Sequence, residues 1–391
     1  MISLLINLMI CKISCVKVGI KVQSFGVGSF FFSLDFSKTP VNLTIGSFVN
    51  EVRRVLESIH SVSDLEVFYD EESSNQDELI DRDFYKNKNL PLDLVFPYIY
   101  FFEVEFKLTI SKSYQRKILG YDDLSDNDLP EDIFNVKITY KYENSIVFVR
   151  IENSNRKNDG SKAVMLVREY LRAEFRSIKT YITFKCLGPS PFHANFYISH
   201  DDNSEVNKIN LIEGIGYDDI EIIIGDKKEF FDISHEDRFM IDFSRELDIF
   251  YTCVKTRNWF SHRWSNIKEK ISQLEIYQNK RFSPLYYFQK RKLISSVLLE
   301  LWVFNNDKIE SENEISTRHS KFSYHKDGII KNYIDREIKK APKYTVKETI
   351  ELVQFFEQKN AKSLELGMAF ITSIIGGIIG AVITSLSTVA K

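Results

Sequence analysis

The chain has 391 residues, of which 43% are hydrophobic, 14% aromatic and 27% charged, and its formal net charge at pH 7 is -3. This composition excludes an intrinsically disordered protein, and the length allows two or three domains with cores of their own. The small net charge excludes no class of partner, but acids cluster in residues 70–83 and 122–132, and bases cluster in residues 255–292.

The first half of the chain has the residue pattern of a strand-rich body. Apolar runs and alternating segments predict strands, and apolar residues at helical spacing predict helices. Strands are predicted over residues 17–36 (two strands with a bend at Gly26 and Gly28), 97–110, 134–142, 146–152, 181–187, 194–199 and 220–224. Helices are predicted over residues 45–59 and 162–178, the second capped by Ser161.

From about residue 239 the pattern becomes helical. Ser283 and Pro284 predict a helix start that continues to about residue 304, and the polar residues 308–327 predict a loop. Thr345 and Glu348 form a capping box that predicts a last amphipathic helix.

The C-terminal residues 366–390 contain no charged side chain. A helix of that length reaches about 37 Å, which exceeds a hydrocarbon core of about 30 Å. The run therefore predicts a single transmembrane helix, and the alternative is a buried helix of a soluble protein. The apolar N-terminus lacks the basic start of an export signal. The expected location is thus the cell membrane, with the body in the cytoplasm.

Small residues form a stripe along this predicted span. They include Gly376, Gly377, Gly380, Ala381 and Thr384. Gly376 and Gly380 make a GxxxG pattern, which favours close packing of helices in lipid. The stripe predicts self-association of the C-terminal helices, and the alternative is a lone anchor.

Bases and aromatic residues are interleaved in residues 255–292. The predicted lipid-binding or partner-binding residues are Lys255, Arg257, Trp259, Arg263, Trp264, Lys290, Arg291 and Lys292. Such a pattern suits anionic lipid or a nucleoprotein complex. The alternative is an ordinary helical domain with its aromatic residues inside and its bases outside.

No complete catalytic motif is present. The phosphate-binding loop, the nucleophile elbow, the zinc-binding HExxH and the dinucleotide-binding glycine pattern are all missing from the sequence. Asp218 and Asp219 precede a short strand, and Asp226 and Lys228 follow it, which leaves a metal-dependent nuclease as an alternative. A solvated turn explains these residues better, because the spacing is short and Asp226 and Lys228 fall where a hairpin turn is expected. We therefore predict a protein that is not an enzyme and has no catalytic residue, metal or cofactor.

The predicted fold class is α+β, with four parts. They are a strand-rich mixed α/β cytosolic body (1–238), a helical basic and aromatic region (239–344), an amphipathic connecting helix (345–365) and the transmembrane helix (366–390).

A cytosolic body followed by a small-residue span such as ITSIIGGIIGAVITSL resembles the membrane effectors of prokaryotic antiviral systems, for example those that accompany short Argonautes. The resemblance implies an effector that a sensor partner holds inactive and that disrupts or depolarises the cell membrane. A tail-anchored scaffold or adaptor without that activity has the same architecture and remains the alternative.

Overall fold

The computed structural model describes residues 23–389 except 36, 41, 70–79, 81–101, 121–128, 131, 141–143, 152–158, 202–207, 226–234, 279–283 and 323–327. These residues form a mixed α/β structure. Its strands are β1 Gln23–Gly28, β2 Phe30–Leu34, β3 Val62–Tyr69, β4 Phe102–Thr109, β5 Ile133–Thr139, β6 Ile146–Ile151, β7 Ile182–Cys186, β8 Ala194–Asp201, β9 Lys208–Ile212 and β10 Asp218–Gly225. Its helices are α1 Ile45–Glu57, α2 Lys112–Leu119, α3 Asp159–Ser177, α4 His235–Gln278, α5 Pro284–Lys321, α6 Lys331–Lys339 and α7 Val346–Val389.

The chain divides into two compact units. The first unit contains Met1–Lys255 and Ser323–Ile338, and the second contains Thr256–Phe322 and Lys339–Lys391. Helix α4 therefore contributes its first half to one unit and its second half to the other. The four-part division by sequence stays a prediction.

An eight-stranded sheet forms the centre of the first unit. Its strand order is β3-β4-β5-β6-β1-β8-β10-β9, and only β8 and β10 pair in parallel. Strands β2 and β7 form a separate two-stranded ribbon. The predicted hairpin of β5 and β6 is confirmed, and the bend expected near Gly26 and Gly28 falls at Ser29, between β1 and β2.

Helices α1 and α3 and the β2–β7 ribbon pack on one face of the sheet. Gly26 of β1 lies against Gly160 at the start of α3, so closely that a Cβ atom at Gly26 would lie 2.0 Å from the Gly160 carbonyl oxygen. Phe48 of α1 packs on Phe102 of β4, with ring centroids 6.2 Å apart. Phe32 of the ribbon stacks on Phe175 of α3.

The first half of α4 covers part of the other face. The Phe243 ring contacts Phe25, Phe148 and Phe196, which lie on β1, β6 and β8. The buried carboxylate of Glu246 accepts hydrogen bonds from backbone N–H groups just before α6, which fixes α6 to α4. Beyond α4, strands β3, β4 and β5 present polar side chains on this face.

The second unit is a bundle of the second half of α4, helix α5 and the first part of α7. Buried apolar residues recur on each helix at spacings of three and four, which brings them to one side. The core consists of Phe260, Trp264, Ile267, Ile271, Leu274, Ile294, Val297, Leu301, Phe304, Val346 and Val353. Helix α7 begins where the capping box predicts it.

The prediction of a C-terminal transmembrane helix is wrong. Among the residues that the structure describes, no helix is both long enough and apolar enough to cross a membrane. Residues 366–389 are not a separate helix, because they continue the helix that starts at Val346 with polar and charged turns. The predicted fold class, which included a transmembrane helix, and the predicted location in the cell membrane are therefore both wrong. The described residues form a mixed α/β structure.

Four other elements differ from the sequence prediction. Helix α5 continues to Lys321, so the loop predicted from residue 308 is wrong over residues 308–321. An ion pair within the helix, between Lys308 and Glu312, stabilises this polar extension. Strands β3 and β9 and helix α2 were not predicted.

Candidate functional site

The aromatic residues predicted to bind lipid or a partner lie mainly inside the helical unit. Trp264 is buried in its core, and Trp259 packs against that core. Arg263 lies over the Trp259 ring, 4.7 Å from its centroid, and forms an ion pair with Asp307 of α5 at 2.6 Å. The ion pair of Arg263 with Asp307 thus holds α4 and α5 together.

The basic residues of the same prediction have different surroundings. Lys255 belongs to the first unit, whereas Arg257 and the others belong to the second. Lys290 is only 8% exposed, and burial together with the nearby charge of Lys359 lowers its pKa. Arg291 and Lys292 are exposed on α5. Binding of anionic lipid or a nucleoprotein by this region stays a prediction.

Of the predicted small-residue stripe, the structure describes the surroundings of Gly376 alone. A Cβ atom at Gly376 would meet nothing within 4 Å, so the helix backbone is open there. The side chains of Gly377, Gly380, Ala381 and Thr384 lie outside the described residues. The stripe as a contact surface stays a prediction.

The residues considered for a nuclease site have structural partners. Asp218 accepts hydrogen bonds from the Tyr333 hydroxyl and from the Gly214 backbone N–H, and Asp219 accepts one from Asn195. Asp226 and Lys228 lie outside the described residues. Across the described parts of the chain, no group of three His, Cys, Asp or Glu residues is placed to hold a metal ion.

The structure shows a different candidate site, a groove on the part of the sheet beyond α4. We call it the sheet groove. It has a volume of about 700 Å³, and its lining includes Asp64, Glu66, Glu103, Glu105, Lys107, Asn135, Lys137, Thr139, Phe148, Arg150, Met240, Ile241 and Ser244. This volume lies within the range of about 300–1,000 Å³ typical of ligand sites.

Strand register produces the sheet groove. Because side chains alternate along a strand, residues paired across neighbouring strands lie on the same face. Glu66 of β3 pairs with Glu105 of β4, Glu105 with Lys137 of β5, and Lys137 with Phe148 of β6. A row of two carboxylates, one ammonium and one aromatic ring thus crosses four strands. Met240 and Ile241 of α4 add an apolar wall beside the row.

Lys137 is the centre of the charges in the sheet groove. Its ammonium donates to Glu103 at 2.8 Å and also to Glu105, and the Thr139 hydroxyl donates to Glu103 at 2.8 Å. Burial acts to lower the pKa of Lys137, but the hydrogen bonds that its ammonium donates to Glu103 and Glu105 outweigh this effect, and the net shift of the pKa is upward. The two carboxylates therefore already hold one cation.

The sheet groove retains an excess of negative charge. Its lining contains four carboxylates (Asp64, Glu66, Glu103 and Glu105) against three bases (Lys107, Lys137 and Arg150). Asp64 pairs with Lys107 at 3.1 Å, whereas Glu66 forms no ion pair within the described part of the chain. The sheet groove therefore offers carboxylates beside an apolar wall, an arrangement that suits a cationic group attached to an apolar one.

No protein-family profile matches this chain, and neither a curated protein nor a solved structure is significantly similar to it.

Proposed function

We propose that the protein is a non-catalytic effector or adaptor that works by binding a partner, and that the sheet groove receives a basic segment of that partner. The observation that carries the proposal is the pair of solvent-accessible carboxylates Glu66 and Glu105 in this row, with the apolar wall of Met240 and Ile241 beside the row. An arginine or lysine side chain that follows an apolar residue matches both features.

The position of Lys137 supports this choice of ligand. Its ammonium lies between Glu103 and Glu105 and shows that the two carboxylates are spaced to hold a cation. The side chain of Glu105 is 40% exposed, and Glu66 is also exposed, so a second cation can approach them from solvent. A guanidinium can donate to two carboxylate oxygens at once, which favours arginine over lysine.

The test uses a small probe, the blocked dipeptide acetyl-leucyl-arginine amide, titrated into the full chain by calorimetry. We expect weak binding that decreases as salt is added, because salt screens charges over about 8–10 Å. The double change Glu66→Gln and Glu105→Gln removes two charges while it preserves size. It is expected to weaken binding about fivefold, which corresponds to about 1 kcal/mol for partly exposed charges.

Two controls make the result specific. The matched variant is Glu57→Gln, an exposed glutamate at the end of α1 that is not part of the sheet groove, and it should bind the probe like the wild type. The matched probe is acetyl-leucyl-glutamine amide, which lacks the charge and should not bind. If both dipeptides bind equally, or if neither binds at low salt, the sheet groove is not a receptor for basic segments.

A further inference from the structure

Helix α5 has a second apolar face opposite the bundle core. The buried residues Ile294, Val297, Leu301 and Phe304 define the core side. On the other side, Phe288, Leu299, Trp302 and Ile309 are 65%, 63%, 63% and 49% exposed. Tryptophan is enriched at the centres of protein interfaces, so its exposure on a regular helix favours a role of this face in protein contacts.

The exposed face follows a regular repeat. Its positions are separated alternately by four and three residues, which is the spacing of a two-helix seam. Six of them are Phe288, Lys292, Ser295, Leu299, Trp302 and Ile309, and all are exposed. We call this face the α5 stripe. From Phe288 to Ile309 it extends about 32 Å at about 1.5 Å per residue.

The α5 stripe is complementary to itself when it is reversed. In an antiparallel pair, each residue faces the one equally far on the other side of the midpoint. With the midpoint between residues 300 and 301, Leu299 faces Trp302 of the other copy, and Ser295 faces Asn306. The same midpoint brings Lys292 opposite Ile309, where its alkyl chain covers the isoleucine.

The charges at the border of the α5 stripe fit the same register. Lys292 and Glu310 are 18 residues apart, which is about five helical turns, so they lie on the same flank of the α5 stripe, and in the antiparallel pair Lys292 of one copy lies beside Glu310 of the other. Both residues are exposed, and they form no ion pair with the residues that the structure describes. A parallel pair in register would instead place Lys292 beside Lys292 of the other copy, and the two would repel each other. Charge complementarity therefore selects both the partner and its direction.

We propose that two copies of this chain associate through the α5 stripe as an antiparallel helix pair, with the twofold axis between residues 300 and 301. The pair buries Leu299 and Trp302 at its centre and joins Lys292 of each copy to Glu310 of the other. This interface is independent of the sheet groove, which belongs to the other unit.

The first experiment measures the mass of the full chain by sedimentation equilibrium over a range of concentrations. Glu310→Lys should raise the dimer dissociation constant at least about tenfold, because it replaces attraction with repulsion in two symmetric places. Lys292→Glu should do the same, and the two changes together should restore the wild-type constant. The matched control is Glu312→Lys on the same helix, because Glu312 pairs with Lys308 of its own chain and lies off the α5 stripe. It should leave dimerisation unchanged.

The second experiment tests the direction of the helices by cross-linking. Ser295→Cys and Asn306→Cys variants of the full chain, mixed and oxidised, should form a disulfide between copies, whereas neither variant alone should do so at that site. A Ser295→Cys variant that links to itself would show a parallel pair and overturn the proposal. A wild-type chain that stays monomeric at all concentrations, or an equal response to Glu310→Lys and Glu312→Lys, would overturn it as well.

Discussion

A substitution of Arg263 tests whether the basic and aromatic region has a structural role or a binding role. Its guanidinium lies 4.7 Å from the Trp259 ring centroid and 5.7 Å from that of Phe304, and its side chain is only 14% exposed. Each cation–π contact contributes about 0.5–1 kcal/mol. The ion pair with Asp307 contributes about 1 kcal/mol, because the aspartate is partly solvated. We therefore expect Arg263→Ala to reduce the free energy of unfolding of the helical unit by about 2–3 kcal/mol.

Tryptophan fluorescence measures this change selectively. The chain has three tryptophans, Trp259, Trp264 and Trp302, and all belong to the second unit. In a urea titration, the Arg263→Ala midpoint should fall by about 1 M, since the urea dependence of a small domain is about 1–3 kcal/mol per M. Asp307→Asn removes the ion pair but retains both ring contacts, and should lower the unfolding free energy by only about 1 kcal/mol.

A matched exposed base provides the reference for this measurement. Lys347 of α7 is exposed and has no ion pair among the described residues, so Lys347→Ala should leave the midpoint within error. If Arg263→Ala unfolds at the wild-type urea concentration, its contacts with Trp259, Phe304 and Asp307 do not stabilise the unit. Arg263 would then be available to a ligand, as the sequence suggested.

Two further predictions concern the first unit, and circular dichroism reports on both. Gly26→Ala should prevent the close contact with Gly160 and reduce the free energy of unfolding by more than about 3 kcal/mol, because the new Cβ would lie 2.0 Å from a backbone oxygen. A Cβ atom at Gly188 would meet nothing within 4 Å, so the control Gly188→Ala should be neutral. Glu246→Gln tests the pH dependence of stability. Burial raises the pKa of Glu246 above its ordinary value, although hydrogen bonds from two backbone N–H groups act to lower that pKa. The native state therefore holds this proton to a higher pH than the unfolded state. The free energy of unfolding should thus decrease as pH rises from about 4.5 through the folded pKa of Glu246, and the glutamine variant should not show that decrease. A wild type and a variant with parallel stability curves between pH 4 and 7 would contradict this reasoning.

Local patterns predicted most of the sheet, and β3, one of the two strands that were missed, shows why local patterns are insufficient. Strand β5 alternates clearly, β6 is a nearly continuous apolar run, and the two are close together in the chain, so the sequence identifies them. Strand β3 is at the sheet edge and has no fully buried residue, and its register shifts between Ser63 and Glu66. Such a strand has no buried face to impose alternation, and only its pairing with β4 defines it.

The sheet groove could not have been predicted from the sequence. Glu66, Glu105, Lys137 and Phe148 come from four strands, and none of them has a distinctive neighbour in the chain. A shift of one residue in any pairing would turn a member of this row to the opposite face. The side chains meet only because three registers agree, and that information resides in the tertiary structure.

The basic and aromatic region illustrates a limit of composition. Interleaved arginine and tryptophan suit a ligand surface, but both side chains are amphipathic, and their apolar parts suit a helix interface equally well. In the structure Trp264 is 8% exposed and Phe288 is 65% exposed, although both belong to residues 255–292. Composition therefore identifies the aromatic residues but does not separate the core from the surface.

Helix α5 has two apolar faces, and together they obscure the amphipathic pattern that each face alone would give the sequence. The bundle core requires Ile294, Val297, Leu301 and Phe304 on one side, and the α5 stripe adds Leu299 and Trp302 on the opposite side. Together they surround the helix with apolar residues, a pattern typical of a fully buried helix. Among the residues that the structure describes, only the first face is buried. The second face has the same spacing of three and four residues, which suits another helix, and the positions of Lys292 and Glu310 make a reversed second copy the helix that fits.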